Sequence, residues 1–279
     1  MSTGTPSLTR LYAKAVVPVR HRPDALPERS SSADVTVDRS RLARYQRICG
    51  FDVSDVVPAT YLHVLAFPLA VAVMSDRAFP LPMVGMLHTA NFIHQVRPVS
   101  VGEALDLSVS AENLRPHRVG RQVDLVAEAK IGSAVVWSER STYLRRESTP
   151  DGARQEPVAS PEPTGSGATA RWRIPADIGR RYAAVSGDRN PIHLNPLAAK
   201  AFGFPRAIAH GMWLHARALA SLGARLPSDY RVDAEFKAPV FLPSTVSVTT
   251  RPTSDGFQLE VCRPRDQRPH MLMTTAGGD

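Results

Sequence analysis

Apolar positions recur at helical spacing in one stretch of the chain's second half and alternate in the stretches after it. In IAHGMWLHARALASLGARL (Ile208–Leu226), Met212, Ala216, Leu219 and Leu222 return every three or four residues, with Ala218 beside them. This predicts an apolar helix with a glycine near its start. VDAEFKAPVF (Val232–Phe241), STVSVTTR (Ser244–Arg251) and GFQLEVCRP (Gly256–Pro264) then alternate as strands do. The first half repeats the plan, with a helix around Val57–Met74 followed by ANFIHQVRPV, ALDLSVSAENL, RQVDLVAEAKI and AVVWSERSTYLR. A buried helix followed by antiparallel strands needs a curved sheet wrapped round it, an α+β arrangement. Joining two such sheets edge to edge would protect their free edges.

The two halves also share short motifs in the same order. RYQRICG (Arg44–Gly50) matches RYAAVSG (Arg181–Gly187), and YLHVLAF matches WLHARAL. VRPVSVGEALDLSV (Val96–Val109) overlies KAPVFLPSTVSVTT (Lys237–Thr250) at a constant shift of 141 residues, placing Pro98 against Pro239. Three such matches in one order point to a duplicated domain. Between the halves, residues 147–170 are rich in Pro, Gly, Ser, Thr and Ala and bury too little to offset their ordering entropy, so they read as a mobile linker. The domains expected are 1–146 and 171–279. The duplication leaves open a pseudo-dimeric monomer or a homodimer.

Composition narrows the function classes. A hydrophobic content of 43% over 279 residues supports a real core. The net charge of +8, 34 basic against 26 acidic residues, favours an anionic partner without naming it. Cys49 and Cys262 are far apart and suit a reducing compartment. The most apolar run, Val64–Met74, is broken by Pro68 and too short for a membrane span, and the N-terminus lacks a signal-peptide pattern. This reads as a soluble cytoplasmic protein.

One place breaks the symmetry. From Gly50 to His63 there are 13 steps, whereas from Gly187 to His215 there are 28. The surplus contains SGDRNPIHLNP (Ser186–Pro196), where Asp188, Asn190 and His193 lie among two prolines. Carboxylate and imidazole on either side of a water or hydroxyl can relay a proton near neutral pH. A plainer reading makes Asn190-Pro191 and Asn195-Pro196 helix starts, N-cap followed by Pro at N1. The residues alone leave both readings open. Gly211, near the start of the predicted helix, brings free N–H groups and room for a ligand carbonyl, or close packing against the sheet.

The stretch YAAVSGDRNPIHLNPLAAKAFGFPRAIAHGM, from Tyr182 to Met212, resembles the hydratase 2 motif of the MaoC-like, (R)-specific enoyl-thioester hydratases and dehydratases. The resemblance implies two tandem hot-dog domains, each a long helix wrapped by a curved antiparallel sheet. It also implies reversible dehydration of (R)-3-hydroxyacyl thioesters to trans-2-enoyl thioesters, with no cofactor and no metal. Carried over by residue, Asp188 and His193 form the catalytic pair, Asn190 orients the loop, and the Gly211 N–H serves as oxyanion hole. The acyl group would arrive on coenzyme A or an acyl carrier protein, with Arg206 as a candidate phosphate or carrier contact and Arg145–Arg146 as others. The degenerate first half would accommodate the acyl chain, its helix displaced or broken at Pro68. Two departures stand out: Asn195 where the family often has aspartate, and Leu219 where some members have a serine.

Two alternatives are a hot-dog acyl thioesterase and a non-catalytic acyl-thioester-binding subunit. The complete Asp-x-Asn-Pro-x-His stretch argues against both. His210 and His215 are five residues apart, roughly 140° round a helix, so they should not share a metal. His63, His88 and His94 read as ordinary core or surface residues. RPRDQRPH (Arg263–His270) reads as a strand end or turn, without the spacing of a nucleic-acid module.

Overall fold

Ten strands form one continuous antiparallel sheet, and each half of it wraps a buried helix. The computed structural model describes residues 5–15, 21–147 and 167–278. The first half contains α1 (Leu8–Ala15), β1 (Ser31–Val35), α2 (Arg39–Cys49), β2 (Val56–Val57), α3 (Ala59–Met74), β3 (Met86–Gln95), β4 (Val99–Ser100), β5 (Leu105–His117), β6 (Gly120–Ile131) and β7 (Ala134–Arg146). The second contains β8 (Ala168–Ile174), α4 (Ile178–Ser186), α5 (Pro191–Leu194), α6 (Pro196–Ala201), α7 (Gly211–Leu222), β9 (Tyr230–Phe236), β10 (Ser244–Pro252), β11 (Gly256–Cys262) and β12 (Pro269–Gly277).

Strand order is β1-β5-β6-β7-β3-β9-β12-β11-β10-β8, with β2 and β4 paired separately. The order is the same read outward from the centre: β3 corresponds to β9, β7 to β12, β6 to β11, β5 to β10 and β1 to β8. The halves join where β3 pairs with β9, from Ala90 opposite Glu235 to Gln95 opposite Tyr230. Each half thus covers one edge of the other, as edge protection requires.

The repeated motifs fall on equivalent elements. Arg44-Tyr45 lies on α2, capped by Gly50 at φ 84°, and Arg181-Tyr182 lies on α4, capped by Gly187 at φ 83°. Both glycines occupy the left-handed region that ends helices without a Cβ penalty. His63 on α3 corresponds to His215 on α7, and both are buried. RPRDQRPH forms the β11–β12 turn, with Arg263 paired to Asp266.

Two expectations need correction. Helix α3 is not broken: it runs through Pro68, and its residues other than Ala72 are buried. A proline in a helix loses its own N–H bond, but dense packing on all sides can hold the helix together. Of the expected linker, residues 148–166 lie outside those described. Ala168–Ala170 belong to β8 and pair with Thr250–Val248 of β10. A small-residue strand at a sheet edge has a linker's composition, and only its pairing distinguishes it.

Candidate active site

Helix α4 ends at Gly187 and turns the chain into Asp188, and three local hydrogen bonds then set the loop. Asp188 N–H donates to Ser186 Oγ at 3.1 Å, Asn190 N–H donates to Asp188 Oδ1 at 3.1 Å, and Asn190 Oδ1 accepts from Ile192 N–H at 3.4 Å. Asn190 therefore caps α5 with Pro191 at N1, and Asn195 caps α6 with Pro196 at N1. The helix-start reading and the site reading describe the same loop. The caps fix the backbone, and the fixed backbone presents Asp188 and His193.

His193 Nδ1 donates to the Ile208 carbonyl at 2.9 Å. A carbonyl only accepts, so the proton of the neutral ring sits on Nδ1 and Nε2 carries the lone pair. Burial lowers the His193 pKa, against the pull of Asp188 and the Ile208 carbonyl, which keeps the ring neutral at pH 7. Burial also opposes ionisation of Asp188. The imidazoles of His210 and His193, the Asn190 N–H and the Tyr12 hydroxyl outweigh it and hold the carboxyl below its usual range. In the resting site both groups are acceptors, and a water can donate one proton toward each.

His210 joins this site rather than pairing with His215. Its ring stacks on His193 with centroids 3.7 Å apart, and its Nε2 donates to the Asp188 carbonyl at 3.1 Å. One ligand-type atom from each of Asp188, His193 and His210 falls within 4.8 Å of the other two. Burial pushes His210 down to about 3, so it is a neutral, oriented wall.

Gly211 follows directly, as the first residue of α7. Its N–H is one of the first-turn donors that have no partner inside a helix. A Cβ here would stand 3.1 Å from the Phe236 ring, so the glycine is also a packing requirement. Arg206 is exposed, its guanidinium carbon 5.8 Å from the centre of the Phe241 ring. Arg145 is tied to the Val84 carbonyl by a hydrogen bond. Leu219 is buried on α7, where no hydroxyl supports the site.

Several residues of this environment carry no local signal in the sequence. Tyr12 on α1 donates to Asp188 Oδ1 at 3.2 Å from 176 residues away. On the first-half side, His63 Nδ1 meets Glu139 Oε1 at 2.7 Å, and Ser141 Oγ and Asn91 Nδ2 donate to the same oxygen. Burial disfavours the His63 cation, but Glu139 overrides it and raises the pKa. His88 stacks on Tyr143 at 4.6 Å and meets the Phe236 ring edge-on at 5.1 Å, linking this cluster to the wall beside Gly211. His94 pairs with Asp229 at 3.0 Å.

Two hot-dog units with one carboxylate–imidazole pair beside a helix N-terminus define an asymmetric double hot-dog protein. The chain belongs to the MaoC-like family, and residues 152–262 match the family description "MaoC like domain". It is 39% identical over 277 residues to 3-hydroxyacyl-thioester dehydratase X of Mycobacterium tuberculosis, covering 99% of this chain and 98% of that protein. A crystal structure of HtdX of M. tuberculosis superposes with a TM-score of 0.79 at 37% identity, covering 90% of this chain and 100% of that one. The (R)-specific enoyl-CoA hydratase of Aeromonas caviae is 34% identical over 98 residues, 34% of this chain and 66% of that protein.

Proposed function

We propose that the protein interconverts (R)-3-hydroxyacyl thioesters and trans-2-enoyl thioesters by reversible loss of water. The observation that carries this is the pair of acceptors, the Asp188 carboxylate and neutral His193 Nε2, next to the first turn of α7. The names of the relatives support it, a 3-hydroxyacyl-thioester dehydratase across the full length and an (R)-specific enoyl-CoA hydratase across part of it.

In the hydration direction a water donates to Asp188 and His193, which turns an oxygen lone pair toward C3. The C3–O bond forms, a water proton passes to the pair, and the pair returns a proton to C2 as the enolate-like thioester oxygen gives up its charge and the site is restored. Dehydration reverses each step. Negative charge develops on the thioester oxygen in between, and the Gly211 N–H at the positive end of α7 acts where it develops. Tyr12 and Asn190 hold the Asp188 oxygen that the water does not use.

The role of the first half in accommodating the acyl chain gains no support from the space between α3 and the sheet. That space is bounded by Ala66, Ala70, Ala127, His63, Glu139 and Tyr143 and has a volume of about 10 Å³, room for about one water.

The test follows enoyl-thioester absorbance after mixing the protein with crotonyl-CoA and with a longer trans-2-enoyl-CoA. The expected result is loss of the band with an (R)-3-hydroxyacyl product, reduced roughly 10²–10⁴-fold or more in Asp188→Asn and His193→Ala. Release of free thiol would instead assign thioester hydrolysis.

A further inference from the structure

Helix α4 ends on carbonyls that its own backbone leaves unpaired, and one side chain from the first half of the molecule takes two of them. The last four carbonyls of a helix have no partner within it. Arg41 of α2 donates Nε–H to the Val185 carbonyl at 2.8 Å and Nη2–H to the Ser186 carbonyl at 3.3 Å. Val185 and Ser186 are buried, where an unpaired carbonyl is costly. The Arg41 backbone is itself fixed, since its N–H donates at 2.7 Å to Oδ1 of Asp38, the N-cap of α2. A cation at this place also faces the negative end of the α4 dipole.

The equivalent corner of the molecule is built differently. In the repeated motifs Val185 corresponds to Ile48, Gly187 to Gly50, Trp213 to Tyr61 and Arg41 to Ile178. Ile178 has no side-chain donor, and the Ile48 carbonyl accepts from Trp213 Nε1–H at 3.1 Å, a single neutral bond. At the end of α4 the Tyr61 hydroxyl is buried without a hydrogen-bond partner among the described residues, and the Arg41 fork makes the contacts. The charged, two-pronged grip therefore falls on the helix whose next residues are Gly187 and Asp188.

We propose that Arg41 is a positioning residue for the loop that carries Asp188 and His193. Both of its bonds go to carbonyls just before that loop, so its effect passes through Ser186. The residue whose carbonyl Arg41 holds also offers its Oγ to the Asp188 N–H at 3.1 Å, and Asp188 Oδ1 accepts from the Asn190 N–H at 3.1 Å. Fixing the helix end thus fixes the first of the contacts that place the carboxylate. Leu8 of α1 closes on the same turn, where a Cβ at Gly187 would stand 2.6 Å from its Cδ1. A small misplacement of a reacting group is enough to lower a rate strongly. The catalytic consequence rests on the dehydratase reading, whereas the hold on the loop does not.

Amide hydrogen exchange of the full chain, wild type beside Arg41→Ala and Arg41→Lys, tests the hold directly. Peptides covering 186–194 should exchange about tenfold faster in Arg41→Ala while those of α7 keep their rates, and Arg41→Lys should fall between. Kinetics at a temperature where both variants are folded test the consequence. In Arg41→Ala, kcat for crotonyl-CoA should fall about ten- to a hundredfold with KM within about twofold of wild type. Arg41→Lys, or ethylguanidinium added to Arg41→Ala, should recover part of kcat. Unchanged exchange in 186–194, or equal acceleration throughout the chain, overturns the proposal. So does an unchanged kcat, or a loss that neither the lysine nor ethylguanidinium relieves. A wild type that turns over no enoyl thioester while the loop responds as expected refutes the dehydratase reading alone.

Discussion

The Tyr12 hydroxyl donates a hydrogen bond to Asp188 Oδ1 at 3.2 Å, so the first helix of the chain completes a site whose other parts lie near residue 200. Burial and the Asp188 charge push the phenol pKa up, and Tyr12 stays a donor throughout the working pH range. A hydrogen bond to a charged group contributes about 1.5–3 kcal/mol, or roughly ten- to a hundredfold in a rate that depends on it. Tyr12→Phe should lower kcat/KM by that order. It should also move the acidic limb of the pH profile to higher pH, because removing a donor raises the Asp188 pKa. An unmoved acidic limb would make Tyr12 a packing residue only.

Gly211 serves packing and approach together, and a paired substitution separates them. Gly211→Ala keeps the N–H but sets a methyl 3.1 Å from Phe236, an overpacking that costs roughly 1–3 kcal/mol. Phe236→Leu in the same chain should restore most of the melting temperature. Turnover should remain low in the double variant, since the methyl still crowds the ligand carbonyl. Full recovery of turnover would reduce Gly211 to its packing role.

Glu139 is the hub of a buried cluster, accepting from His63 at 2.7 Å and Ser141 at 3.0 Å. Removing one partner of a buried pair typically costs about 3–5 kcal/mol, because the other is left uncompensated. Glu139→Ala should lose stability of that order in urea denaturation. His63→Leu/Glu139→Met should recover most of it, and a double variant as unstable as the single would show that the pair itself carries the stability.

Buried neutral histidines set an acid limit on the fold. Burial pushes His88, His210 and His215 down to about 3, far below their value in the unfolded chain. Their stability contribution is therefore present above the unfolded value near 6.5 and is lost as pH falls below it. His63 has the opposite sign, contributing at low pH and losing that contribution as pH rises through its raised value. Each proton taken up only by the unfolded chain costs about 1.4 kcal/mol per pH unit. Urea midpoints at pH 7.5, 6.0 and 5.0 should fall, and His215→Leu should flatten the slope by about one proton.

The sequence by itself determined the features that depend on local periodicity and local hydrogen bonding. Alternation placed β3, β5, β6, β7, β9, β10 and β11, and spacing placed α7, with α3 following from the repeated plan, because 3.6-fold and 2-fold periods follow from backbone geometry. The candidate loop was legible for the same reason, since its backbone is set by contacts two residues long, from Asp188 to Ser186, Asn190 to Asp188 and Ile192 to Asn190. Tertiary structure alone decided what those residues face. Tyr12, His210 beside His193 and the His63–Glu139 cluster come together by sheet closure and helix packing, with no sequence period to announce them. It also decided that α3 runs through Pro68, a local helix breaker overruled by burial on all sides.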